Sequence, residues 1–261
     1  MTKVYNISVK GIAQQLKSKM EKGKKISKNE NFYIAPGLNG PIELTYLDIF
    51  KIAQIIDEQI FISLPSLKGL YEYLKEVIKF MLKLNIPITW FTPSGMKITQ
   101  HYNKSKQNKV SIQFAKASKT VILRRKTSLL NKQKQIQAII PNVIHSLDAS
   151  HLINFINTAI SNKFSPVISI HDCFGTHPNK IEELTFLVKK EFILLYTNPG
   201  YLTLYEKRVI QSLKDNNFKI FTDQFEKQYI KPYRTKMYIP IAPKPDKLEI
   251  ENILSSKYMI I

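Results

Sequence analysis

Three features of the 261-residue sequence predict a mixed α/β fold. From 165 to 177, Ser-Pro-Val-Ile-Ser-Ile-His-Asp-Cys-Phe-Gly-Thr-His reads as a β-hairpin. A β-branched run ends in His171-Asp172 and turns back through Cys173-Phe174-Gly175. Just before it, Leu152, Phe155, Ile156, Ala159 and Ile160 recur at the spacing of a buried helical stripe. A longer stripe runs through Leu67, Leu70, Tyr71, Leu74, Val77, Ile78, Met81 and Leu82. The length suits one large domain or two small ones, and 44% hydrophobic residues suffice for a core.

Residues 1–20 read as helical. The Lys-rich stretch 17–30, with Gly23, reads as an exposed turn. Pro65-Ser66 opens the long helix, and Pro87 stops the segment beyond it. Residues 88–91 read as a strand entering a turn at Thr92-Pro93-Ser94-Gly95. Residues 109–125 read as extended, with Val110, Ile112 and Phe114 alternating before a second run at 120–123. The cluster Arg124-Arg125-Lys126 and the string 132–137 come next, either touching backbone phosphate or forming a solvated face. A helix is expected from about Asp148, with Asp148 or Ser146 as its N-cap. After the hairpin, Ile181, Leu184, Leu187, Val188 and Phe192 mark another helix. The tail from Pro232 reads as irregular until a short helix near Leu248.

Charge narrows the partners. The chain has 39 basic and 20 acidic residues, a net charge of +19, and a pI near 9.7. Such a surplus attracts a phosphate backbone, with salt-dependent affinity. Arg supplies four of the basic residues and Lys the other 35. Lys binds phosphate but reads bases poorly, so contacts along the backbone are expected. AT-rich coding also produces abundant Lys, Ile and Asn, and would suit an organellar genome or a plasmid. A single Cys, Cys173, excludes an internal disulfide framework and any multi-Cys zinc site. No run approaches the ~18–20 apolar residues of a membrane span. No secretory signal or transit peptide is visible.

A carboxylate at a tight turn is what metal-dependent phosphoryl transfer needs, because the ion must be held rigidly. Asp172 answers to that description. Upstream, Lys134-Gln135 and then Pro141-Asn-Val-Ile-His-Ser-Leu-Asp-Ala-Ser-His-Leu152 form a dense polar string. A capped helix would explain one histidine, solvated or facing the core. Two histidines, an Asn and an Asp before one helix, with His171-Asp172 one strand later, suggest chemistry.

These two segments resemble the palm of the single-subunit RNA polymerases, the phage-type and mitochondrial enzymes. Trp90-Phe-Thr-Pro-Ser-Gly-Met96 resembles the family's W-T-T-P-x-G segment. Met1-Thr2-Lys3-Val4-Tyr5 resembles the end of its fingers-helix motif, and 248–261 its carboxy-terminal foot. The resemblance spans nearly the whole chain. It implies partial fingers and a palm of a right-hand polymerase: 1–133 as fingers remnant and insertions, 134–200 as palm core, 201–261 as carboxy-terminal palm and foot.

The resemblance also implies DNA-directed RNA synthesis from ribonucleoside triphosphates on a DNA template, with two Mg²⁺ ions ~3.5–4 Å apart. Asp172 matches one of the two metal-holding aspartates. His171 matches a residue near the primer end or initiating nucleotide, and His145 one near the nucleotide and the template–product hybrid. Tyr5 matches the Tyr that closes the insertion site and helps select ribose, although Asn6 stands where the family commonly has Gly. Cys173 after His-Asp favours the RNA polymerases over related DNA polymerases, which carry Glu there. The family's first catalytic Asp and its fingers-helix Lys have no counterpart here, so a missing amino-terminal fragment is expected. A broken upstream frame, a late start codon and a divergent split gene would each account for it. Mitochondrial location with organelle or plasmid coding is expected. A non-catalytic nucleic-acid-binding remnant stays open, as does another two-metal enzyme such as a nuclease, although no further acidic cluster adjoins the hairpin.

Overall fold

The computed structural model describes residues 3, 5–23, 32–37, 40–114, 117–170, 173–197, 200–244 and 249–256. The chain divides into two units, Met1–Tyr71 and Glu72–Ile261. In the first, Ser8 opens helix α1 (Val9–Ser18) by accepting a hydrogen bond from the Gly11 amide at 3.2 Å. The helix expected from residue 1 therefore starts later. Lys3, Tyr5 and Asn6 lie in turns, and Asn6 has a φ of 62°. A left-handed residue cannot continue a right-handed helix, and Ser8 then supplies the cap.

Strands β1 (Glu21–Lys22), β2 (Tyr33–Gly37) and β3 (Gly40–Leu44) form an antiparallel sheet in that order. The Lys-rich stretch read as one exposed turn thus contributes the end of α1 and strand β1. Its residues 24–30 lie outside the described residues. Helix α2 (Tyr46–Ser63) begins with a capping box: the Asp48 amide donates to Thr45 Oγ1 at 3.2 Å, and the Thr45 amide donates to Asp48 Oδ2 at 3.0 Å. Hydrogen bonds from Thr45 hold the Asp48 carboxyl below its usual range. Ile12, Ala13, Tyr33, Ile49 and Ala53 form the core of this unit.

Helix α3 (Pro65–Lys83) has Pro at its first position, where no amide hydrogen is needed. From Tyr73 onward it buries Leu74, Val77, Ile78 and Met81 in the second unit, on the stripe the sequence predicts. Strands β4 (Ile88–Phe91) and β5 (Lys97–Gln100) pair antiparallel around the turn at Thr92 to Gly95. Gly95 takes a φ of 86°, which favours glycine. Residues 103–130 form a long ribbon of β6 (Asn103–Phe114) and β7 (Ala117–Leu130). The extended segment expected at 109–125 is therefore the distal part of a larger hairpin.

The next element requires a larger correction. Helix α4 runs unbroken over Lys132–Ser161, so Ser146 and Asp148 lie inside it and cap nothing. The cap is Asn131, whose side chain accepts from the Lys134 amide at 3.1 Å. The apolar pattern misleads because the buried face changes sides. Ile139, Val143, Ser146 and Ser150 are buried along one face, then Phe155 and Ala159. Ser146 and Phe155 are nine residues apart, so at ~100° per residue they point ~180° apart. Pro141 sits within the first half and also reads as a helix start.

Beyond α4, β8 (Ile168–Ile170) pairs antiparallel with β9 (Cys173–Gly175). Helices α5 (Ile181–Thr197) and α6 (Tyr201–Asp215) come next. The tail carries a small sheet of β10 (Ile220–Thr222), β11 (Gln228–Ile230) and β12 (Met237–Tyr238), so it is less irregular than expected. It ends, among the described residues, with a 3-10 turn at Ile250–Ile253.

Candidate functional site

Both faces of α4 organise the site. On the first, the indole N–H of Trp90 donates to Ser146 Oγ at 3.1 Å, and Ser146 Oγ donates to the Val143 carbonyl at 2.6 Å. Ser94 and Ser150 hydroxyls meet at 3.3 Å, so the β4–β5 turn docks on the helix. Beside it, Gln100 Nε2 donates to Gln135 Oε1 at 2.7 Å and to the Gln135 carbonyl at 2.8 Å. Asn142 Nδ2 donates to Gln100 Oε1 at 2.9 Å and to the Tyr102 hydroxyl at 3.1 Å. Buried amides must be paired in this way, because an unpaired one costs about 1–3 kcal/mol.

On the second face, Phe155 meets Phe174 edge-on, ring centres 4.7 Å apart. His151 lies edge-on to Phe174 and Phe192 at 6.0 and 5.5 Å, with Nε2 3.0 Å from the Val188 carbonyl. Thr158 Oγ1 donates to Glu191 Oε1 at 2.8 Å, joining α4 to α5. The β8–β9 hairpin is thus anchored through Phe174 to the second half of α4.

The expected site residues are placed unevenly. Ile170 pairs directly with Cys173, and the two residues between them in sequence, His171 and Asp172, lie outside the described residues. His145 is exposed on α4. Tyr5 is half-buried in a turn of the first unit, next to the left-handed Asn6. Near it, the Lys3 ammonium pairs with Asp57 and sits 4.6 Å from the centre of the Phe61 ring, while Tyr71 donates to the Lys3 carbonyl. His151 is a packing residue.

Among the described residues, no group of three or more His, Cys, Asp or Glu side chains could hold a metal ion. A hard carboxylate oxygen suits Mg²⁺, which is commonly held by one or two carboxylates plus phosphates and water. Asp172, the ligand expected from the sequence, lies outside the described residues.

Sequence reasoning missed the charge distribution around the ribbon. From Val77 to Leu147, 71 residues contain 13 basic side chains and no acidic one. Lys106 and Arg125 are direct cross-strand partners on β6 and β7, and both are exposed. Like charges in that position repel, so the ribbon favours a counter-anion. A count of acidic gaps along the chain would have found this signal. Gln100 carried no such signal, because a Gln in a short strand is ordinarily at the surface.

A family model described as DNA-dependent RNA polymerase matches residues 1–261. A probable DNA-directed RNA polymerase of Gelasinospora sp. (strain G114) is 40% identical over all of this chain and 32% of its own length. One from Agaricus bitorquis is 33% identical over 97% of this chain and 24% of its own length. DNA-directed RNA polymerase 1, mitochondrial, of Nicotiana sylvestris is 24% identical over 99% of this chain and 22% of its own length. The chain therefore spans about a third or less of these curated relatives.

Proposed function

Because this chain belongs to the DNA-dependent RNA polymerase family, we propose that it is the part of such an enzyme that carries one metal-holding carboxylate and part of the nucleotide site. The match along the whole chain carries this reading. In it, 1–133 are fingers with insertions, 134–200 the palm core, and 201–261 the carboxy-terminal palm and foot. The partners are a DNA template, an RNA product and ribonucleoside triphosphates. The other two thirds of the polymerase would supply the remaining catalytic groups. The Nicotiana relative's mitochondrial label supports a mitochondrial location.

Asp172, between the paired Ile170 and Cys173, would hold Mg²⁺. When bound, the ion supplies charge stabilisation at the phosphates. The contacts of Phe174 with Phe155 and His151 hold strand β9 against α4. His171 would orient the primer end, and the exposed His145 would approach the nucleotide and hybrid. Tyr5 would cover the insertion site, where its hydroxyl favours ribose. The acid-free ribbon would track a phosphate backbone through Lys106, Arg124, Arg125 and Lys126.

The ribbon also supports a second reading, nucleic-acid binding without catalysis. Template-dependent incorporation of labelled ribonucleotides with Mg²⁺, by this chain together with the rest of a related polymerase, separates the two. Synthesis that Asp172→Asn abolishes supports the polymerase, with Tyr5→Phe mainly relaxing ribose selectivity. Binding without synthesis supports the second reading. Full activity of Asp172→Asn would overturn the site assignment.

A further inference from the structure

The larger unit carries a cavity lined by residues outside the expected site. It measures about 580 Å³ and is bounded by Phe91 and Pro93 after β4, Leu195 on α5, and Leu204, Lys207 and Arg208 on α6. Small-molecule sites typically span ~300–1,000 Å³, with mostly apolar walls and a few placed polar groups. Phe91 is 47% and Leu204 60% exposed, so two large apolar side chains face water there.

The polar groups are cationic. The Arg208 guanidinium carbon sits 5.3 Å from the centre of the Phe91 ring. Its Nε is buried and has no hydrogen-bond partner among the described residues. The Asp215 carboxylate is 3.7 Å from Nη1, beyond hydrogen-bond reach. Asp215 Oδ1 instead accepts from Gln211 Nε2 at 2.7 Å. The guanidinium thus lies against the Phe91 ring with one buried donor, Nε–H, unpaired. Lys207 adds a second, exposed cation on the same wall.

We propose that this cavity binds a nucleoside monophosphate, its base against Phe91 and Leu204 and its phosphate against Arg208 and Lys207. Bases stack on aromatic side chains without regard to sequence. Arg matches phosphate with paired N–H donors, and such charge-assisted bonds are the strong ones. A free phosphate would leave the apolar walls wet, and a neutral hydrocarbon would leave Arg208 unanswered. Ring and anion together satisfy both.

Equilibrium dialysis of the full chain against labelled AMP, with neither Mg²⁺ nor template, tests this apart from any polymerase activity. AMP is expected to bind saturably, and adenosine and inorganic phosphate each about tenfold or more weakly. Arg208→Gln should weaken AMP binding by a similar factor. Leu204→Glu, at an exposed position that a charge does not disturb, should do the same by repelling the phosphate. Asp215→Asn should tighten it, because the guanidinium loses its competing anion. Equal binding of AMP and adenosine, AMP binding unchanged in both Arg208→Gln and Leu204→Glu, or no saturable binding would overturn the proposal. None of these outcomes bears on the polymerase reading.

Discussion

Truncating Phe155 should loosen the hairpin as well as the core. Phe155 is fully buried among Ala159, Phe164, Leu184, Leu187 and Val188, and it meets Phe174 edge-on with ring centres 4.7 Å apart. Phe155→Ala removes a whole ring from that cluster, and such changes cost about 3–5 kcal/mol. Domains of this kind have only about 5–15 kcal/mol of stability to lose. Phe174→Ala should cost less, roughly 1–1.5 kcal/mol, because the ring is only half-buried and full burial is worth about 1.5–3. The informative quantity is the coupling between them. An edge-on aromatic pair adds about 0.5–1.5 kcal/mol beyond its buried area. The double variant should therefore be less destabilised than the two singles combined by that amount. Urea unfolding, monitored by the emission of Trp90, the only Trp, measures all four proteins. Phe155→Leu, which keeps most of the volume, provides a folded reference if the alanine variant is too weak. Coupling below about 0.3 kcal/mol would mean that the rings do not hold the hairpin to α4.

Three further outcomes are expected. Asn131→Ala should destabilise α4 by about 1 kcal/mol and Asn131→Gly by only a few tenths, read as a midpoint shift in urea. Replacing Lys106, Arg124, Arg125 and Lys126 with Gln should flatten the salt dependence of duplex binding by up to about 0.9 in log–log slope per lost phosphate contact, measured by titration at several salt concentrations. Alkali should unfold the larger unit. Burial raises Tyr73, Tyr201 and Tyr205 above the ordinary 10.0, so the fold keeps these phenols neutral while the unfolded chain loses their protons first. Stability is then full below about pH 10 and falls as pH rises above it, which a pH series of melts would show.

Legibility in the sequence tracked how local each signal was. The α3 stripe could be read because one face of one helix meets one core. The start of α4 was misread because its buried face changes sides between Ser150 and Phe155, and a single stripe captures only the second half. Pro141 strengthened the error, since Pro more often opens a helix than sits inside one. Alternation at Val110, Ile112 and Phe114 marks the distal part of the β6–β7 ribbon, whereas 103–108, polar and mostly exposed, carry no such pattern. Helices α2 and α6 were passed over although their apolar residues repeat. The polymerase motifs were plain, yet His151 within them packs against aromatic rings, and nothing in its spacing separates that role from the exposed His145.

The two-sided burial of α4 also restricts which changes in length this helix can absorb. Inserting one residue between Ser150 and Phe155 would rotate everything downstream by ~100° and advance it by ~1.5 Å. Phe155, with Phe164 and Leu187 packed on it, would then swing as one body, while Trp90 stayed bonded to Ser146 and held Tyr205 of α6 in place. Both ends could not be satisfied together. A seven-residue insertion, at ~20° from two full turns, would preserve the phase but carry the hairpin about 10 Å along the axis. Homologous chains should therefore keep the interval from Ser146 to Phe155 constant.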